Sequence, residues 1–272
     1  MKKRILTFGV VIMALAIVIN SCNKSTENSK DQKEKIVMNT EVEAVPVDIM
    51  KKNKPGANAD FIYGIGSRFN TITKKELDTL KSFNDIIGPK HAQRIVRFES
   101  VNVILMKGDK PTDVRVLGND PVFNENQLEF MRSLDYSTNL MIWADYEERN
   151  EKTGELEFTH WTPHLTIVPE QQATYRLGKS KLINYLNDQS EMARVQAHVD
   201  PEKLRPAKLY FTVTKAGSID NVYLDRSSFY PSVDDKMIEL IKSTTGQWIP
   251  AEDMNGEPVD QELVVSFGLK GC

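Results

Sequence analysis

Leu209-Tyr-Phe-Thr-Val-Thr-Lys-Ala-Gly-Ser-Ile-Asp-Asn-Val-Tyr-Leu224 is the stretch on which the fold class turns. Leu209, Phe211 and Val213 fall on one face of an extended chain, Gly217 marks a turn, and Ile219, Val222 and Leu224 carry an apolar pattern back. Period-2 apolar residues on both sides of a glycine-containing turn predict a β-hairpin. A helix follows. Ser232 offers an N-cap with Asp235 three residues on, and Met237, Ile238, Leu240 and Ile241 supply an apolar stripe that ends near Gly246. Trp248-Ile-Pro-Ala251 and an Asn255-Gly256 turn then lead to a last strand, Glu262 to Leu269. This strand sets Leu263, Val265, Phe267 and Leu269 on one face, to be packed against Phe211, Val213 and Ile241. Its other residues, Glu262, Val264, Ser266 and Gly268, are the candidate interaction edge. Trp248 reads as a core anchor at the helix exit, the alternative being the wall of a groove beside an edge strand. Hairpin, helix and returning strand make an α+β unit with a helix packed on an antiparallel sheet.

Working upstream, Gly178 to Leu186 is a short amphipathic helix with Leu182, Tyr185 and Leu186 on one face. Pro201 and Pro206 punctuate the chain between it and the hairpin. A β-rich block, residues 60–170, precedes this second unit, residues 174–270. Phe61-Ile62-Tyr63 opens the block as a strand, and Thr73-Lys-Lys-Glu76 is a capping box for a short helix carrying Leu77 and Leu80. Ile95, Phe98, Val101, Val103 and Leu105 mark a strand, and Asp113 to Leu117 another across the Lys107–Pro111 turn. Asn124 to Leu134 is helical, with Leu128, Met131 and Leu134 at helical spacing. Leu140 to Tyr146 and Glu155 to Val168 pair through an Asn150–Gly154 turn, the second strand being interrupted at Pro163.

The N-terminus reads as an export signal. Lys2, Lys3 and Arg4 precede an apolar run from Ile5 to Ile19, which ends at Ile19-Asn-Ser-Cys22. Such a run is short for a membrane span, which needs about 20 apolar residues. The ending resembles the lipobox of bacterial lipoproteins, which implies a signal peptide at 1–21, cleavage before Cys22, and lipidation of the Cys22 sulfur. Residues 22–59 then read as a flexible tether, because Asn23 to Lys35 is almost wholly polar.

Composition excludes several function classes. The signal takes three of the 35 basic residues and no acidic one, leaving 32 against 38 and a mature charge of −6. An acidic chain without a basic stripe argues against nucleic-acid partners. With Cys22 lipidated, Cys272 has no internal cysteine to pair with. His160 and His164 would chelate one ion only on a helix, and Pro163 makes their surroundings extended. His91 and His198 stand alone. Asp234-Asp235 reads as helix N-terminal charge, and Glu147, Glu148, Glu155 and Glu157 as a solvated face. Gly64-Ile-Gly66-Ser67 lacks the third glycine of a nucleotide loop. No catalytic residue, metal ligand or cofactor is expected, and the chain reads as a non-enzyme.

Two resemblances extend this reading. Gly118-Asn-Asp120, the helix Glu125 to Leu134 and the hairpin ending in Pro163-His-Leu-Thr-Ile167 resemble the C-terminal module of GldM-type proteins of the gliding and type 9 secretion machinery. That resemblance implies a β-rich domain. Farther on, Phe211-x-Val213, Gly217-x-Ile219, Val222, Asp234-Asp235, Trp248-x-Pro250-Ala251, Asn255-Gly256-x-Pro258-Val259 and Val265-x-Phe267 occur in the order of the TonB-family C-terminal domain. The chain departs from that family in lacking a retained transmembrane helix and a long proline-rich spacer, which energy transduction there requires. The resemblance implies a module that binds outer-membrane receptors or transport components by strand addition. The expectation is therefore an outer-membrane, periplasm-facing lipoprotein that interacts with envelope proteins. A scaffold of a gliding or secretion machine is one alternative, and an enzyme with an unrecognised site is the other.

Overall fold

The structure is a computed structural model describing residues 61–268. The signal, Cys22, the tether and Leu269 to Cys272 lie outside the described residues. The first elements are β1 (Ile62–Gly66), β2 (Asn70–Thr73), α1 (Lys74–Thr79), α2 (Asn84–Ile87), α3 (Pro89–Ala92), β3 (Ile95–Lys107), β4 (Lys110–Val116) and α4 (Glu125–Ser133). They are followed by β5 (Asn139–Arg149), β6 (Leu156–Trp161), β7 (His164–Val168), β8 (Thr174–Tyr175), α5 (Lys179–Gln196), β9 (Ala207–Val213) and β10 (Ile219–Arg226). The last are α6 (Pro231–Lys242), β11 (Trp248–Ile249), β12 (Ala251–Glu252), β13 (Pro258–Val259) and β14 (Gln261–Gly268). The architecture is mixed α+β, strand-rich, and antiparallel apart from one parallel pair.

The expected hairpin is β9–β10. Gly217 turns it at φ +75°, and a Cβ there would lie 2.7 Å from the Trp248 carbonyl oxygen. Both the left-handed backbone and the close approach therefore demand glycine. Leu209, Phe211 and Val213 enter a core with Leu263, Val265 and Phe267 of β14 and with Val233, Met237 and Ile241 of α6, as the alternation predicts. Leu182 and Leu186 of α5 join the same core. Trp248 is 2% exposed and donates its indole N–H to Thr244 Oγ1 at 3.0 Å. The helix start differs from expectation. Pro231 takes the first position of α6 and Tyr230 the cap, so Ser232 lies inside the helix. Asp234 lies in the first turn of α6, as expected of helix N-terminal charge, and it is buried. It accepts from Ser227 Oγ at 2.5 Å and Ser228 N at 3.0 Å, and pins the loop before the helix.

A six-stranded sheet in the order β2-β7-β5-β3-β4, with β6 also on β5, builds a second core. Ile72, Leu77, Val101, Val103, Met131, Leu140, Ile142 and Ile167 fill it beneath α1 and α4. Both helices begin with complete capping boxes, Thr73 with Glu76 and Asn124 with Gln127. Register shifts in β3 between Ile95 and Arg97 and between Phe98 and Ser100 allow Ile95, Phe98 and Val101, three apart, to face the same core. Pro163 splits the return strand, so that β6 pairs with the C-terminal half of β5 and β7 with its N-terminal half.

One strand lies elsewhere than expected. The segment Phe61-Ile62-Tyr63, read as the opening of the first block, feeds β1, which pairs with β14, and Phe61 and Tyr63 pack in the C-terminal core. The polypeptide then crosses to β2 through Arg68. The Arg68 side chain is 4% exposed and bonds Asp109 at 3.2 Å and Asp225 at 2.9 Å. Its guanidinium also lies 4.5 Å from the Tyr210 ring centroid. Asp109, at the β3–β4 turn, collects Lys208 and Arg226 as well. The outer face of the C-terminal sheet is thus covered by the other sheet's loops. Glu262 N donates to Ser137 Oγ at 2.8 Å, and Val264 is 6% exposed.

Candidate interaction edge

Glu262, Val264, Ser266 and Gly268 are not an edge. β14 runs between β1 and β9, with Gly268, Ser266 and Val264 opposite Ile62, Gly64 and Gly66. The correction has a physical reason. The side of the last strand left open by local pattern is closed by a strand from some two hundred residues earlier, which no local periodicity reveals. Glu262 accepts from the Tyr223 hydroxyl at 3.1 Å, and burial holds its carboxyl above the ordinary value against the pull of Tyr223 and Arg68.

Among the described residues, the two larger sheets have five strands with an open side, β1, β10, β2, β4 and β6, and the first four are protected. β10 has two register shifts and Asn221 at φ 49°, which disrupt a flat edge. β1 has its Ile65 carbonyl occupied by Lys179 Nζ at 2.7 Å. β2 is only four residues long. β4 carries Lys110, Pro111, Asp113 and Arg115 and a register shift.

β6 has no register shift and no proline, and Glu157 is its one charged residue. It pairs with β5 in six unshifted pairs, from Ala144 opposite Trp161 to Arg149 opposite Leu156. The hairpin bond from Asn150 N to Glu155 O fixes which residues face inward. Residues 155, 157, 159 and 161 turn their backbone groups to β5, so Leu156, Phe158 and His160 turn theirs outward. Large apolar side chains lie on this open strand, with Leu156 51%, Phe158 66% and Trp161 40% exposed. Burying one Leu or Phe side chain contributes about 1.5–3 kcal/mol, so these are side chains from which a partner gains.

A polar cluster supports the strand from the core side. His91, on α3, has Nε2 3.0 Å from Glu148 Oε2 and 3.0 Å from the Tyr146 hydroxyl. Its ring centroid lies 4.1 Å from that of Trp161, the last residue of β6. Burial holds the imidazole below its ordinary value, with Arg94 adding and Glu148 opposing. Burial, and then the Glu148 charge, push the Tyr146 hydroxyl up to about 12. The geometry is that of a brace fixing the end of β6 to α3. Sequence reading left His91 unassigned because its partners are more than fifty residues away.

His160 and His164 part company. His160 stacks on Trp143 at 5.2 Å and His164 lies against Phe69 at 5.1 Å. Among the described residues, no group of three or more His, Cys, Asp or Glu side chains is placed to hold a metal ion, and no helix is long and apolar enough to cross a membrane. Gly64 to Gly66 lies in β1. In the groove beside Arg68, lined also by Lys107, Lys110, Tyr223 and Glu262, Arg68 pairs with Asp109 and Asp225, and Arg226 with Asp109. That pairing makes it a joint between the two sheets. Comparison of the chain with protein-family models, with curated proteins and with solved structures gives no match in any of the three.

Proposed function

We propose that this chain is a lipid-anchored cell-envelope protein that works as a non-enzymatic interaction module, receiving an extended segment of another envelope protein along β6. The observation that carries the reading is the unprotected edge itself: a six-residue strand with outward backbone groups at Leu156, Phe158 and His160 and exposed Leu156 and Phe158 side chains. An added strand satisfies the free N–H and C=O groups, and alternate side chains give specificity. The lipobox-like ending at Cys22 supports the anchor and the periplasm-facing outer-membrane location. The motif order from Phe211 to Phe267 supports a TonB-C-like second unit behind the GldM-like first, and the binding surface proposed here lies on the first.

The test is a photo-crosslinking residue in place of Leu156, introduced into the full chain in intact cells. A discrete adduct with one envelope protein is expected there, with none from the same residue placed at Asp113 on the protected β4. Equal adducts at both positions, or none at Leu156, contradict the proposal.

A further inference from the structure

A second feature lies in the C-terminal core, away from β6. A pocket of about 310 Å³ opens between the end of β1, the start of α5 and the β8–β11 ladder. Its walls are mainly apolar, made by Ile65, Ala173, Tyr175, Leu182, Trp248 and Leu263, with Gln172 and Thr174 as polar members. Volumes from about 300 Å³ upward are those of small-molecule sites, and the walls belong to a packed core, so the cavity is largely pre-formed. Trp248, 2% exposed and packed in the core, forms the floor of the pocket.

The mouth of the pocket is positive. Lys179 lines it and has no carboxylate within ion-pair distance among the described residues; its ammonium bonds only the Ile65 carbonyl. Arg176 and Lys181 flank Lys179 in the sequence, where no acidic residue occurs between Glu170 and Asp188. Lys179 also stands at the first position of the 18-residue α5, whose cap, Gly178, supplies no side-chain bond and whose first turn has no acid. A cation at that end of a helix adds to the positive pole of the helix dipole where an anion is favoured. The Lys179 charge and the N-terminal pole of α5 thus meet at the rim of a mainly apolar cavity. The occupied Ile65 carbonyl disfavours a peptide strand here.

We propose that this pocket binds a medium-chain aliphatic carboxylate, the chain lying against Trp248, Leu182 and Leu263 and the carboxylate on Lys179. The test is calorimetric titration of the full chain with octanoate, octanol and octylamine, and with the series butanoate to octanoate. The expected result is saturable one-to-one binding of octanoate that tightens about three- to fourfold per methylene along the series, with a shift of the Trp248 indole resonance. Lys179→Met should weaken octanoate about tenfold or more while leaving octanol binding and thermal melting unchanged. The proposal is overturned if octanoate shows no saturable binding, if octanol or octylamine binds as tightly, if Lys179→Met leaves octanoate affinity unchanged, or if the Trp248 resonance does not move.

Discussion

Replacing Arg68 by Met tests the joint between the two sheets. The side chain is 4% exposed and bonds two carboxylates, Asp109 and Asp225, while lying over Tyr210. Breaking a buried ion pair costs about 3–5 kcal/mol when the remaining charge is stranded. Here Asp109 keeps Lys208 and Arg226, and Asp225 is 29% exposed, so water and other cations recover part of that loss. Loss of the contact with Tyr210 adds about 1 kcal/mol. The expected destabilisation is therefore about 3 kcal/mol, read from urea unfolding at pH 7. A double-mutant cycle with Asp225→Asn should show coupling of about 1–2 kcal/mol. The effect has a defined pH dependence. Burial alone pushes Asp109 upward, but hydrogen bonds and charge from Lys208 and Arg68 outweigh it and hold the carboxyl below its ordinary 3.8. Its folded value being depressed, its contribution is present above about pH 4 and is lost as pH falls through the folded value. The penalty of Arg68→Met should shrink there. A loss below about 1 kcal/mol at pH 7, a value typical of exposed pairs, would refute the reasoning.

Three further outcomes follow from the same physics. Gly217→Ala should cost about 2–4 kcal/mol in urea unfolding, because alanine resists the left-handed region by about 1–2 kcal/mol and its Cβ meets the Trp248 carbonyl; an unchanged midpoint would mean that the turn relaxes freely. Glu262→Gln should raise the melting temperature at pH 7, since burial lifts the folded carboxyl above 4.5 and ionisation then opposes folding; the advantage should vanish below about pH 4.5, and a pH-independent difference would contradict it. Cys22→Ser should move the protein from the detergent phase to the aqueous phase on phase partitioning, and retention in the detergent phase would sink the anchor.

Local signals were the legible ones. Thr73 and Asn124 cap the helices that their spacing predicts, and Gly217 turns the hairpin between Val213 and Ile219. The inward set Leu263, Val265 and Phe267 could be read because a period of two survives in β14. What escaped depends on distant pairing. β1 closes the flank of β14, β2 lies parallel to β7, and His91 meets Glu148, all between segments with no common local pattern. Ser232 misled because Pro231 can begin a helix with a fixed φ and no N–H to satisfy, which outranks the serine cap. The alternation of Glu262 to Leu269 predicts an edge in the last strand, yet β1 and β9 flank it. In space the unpaired side belongs to β6, whose exposed Leu156 and Phe158 are visible in sequence only as ordinary alternation.

The most direct measurement of strand addition combines the Leu156 crosslinker with two substitutions at Phe158. Phe158→Pro removes an outward N–H without touching the ladder to β5, whereas Phe158→Thr keeps that N–H and trims the side chain. With the melting temperature of each variant as the folding control, the adduct should disappear in Phe158→Pro and persist, weakened, in Phe158→Thr. An adduct undiminished in a folded Phe158→Pro protein would show that recognition at β6 does not use the backbone, and would contradict the account.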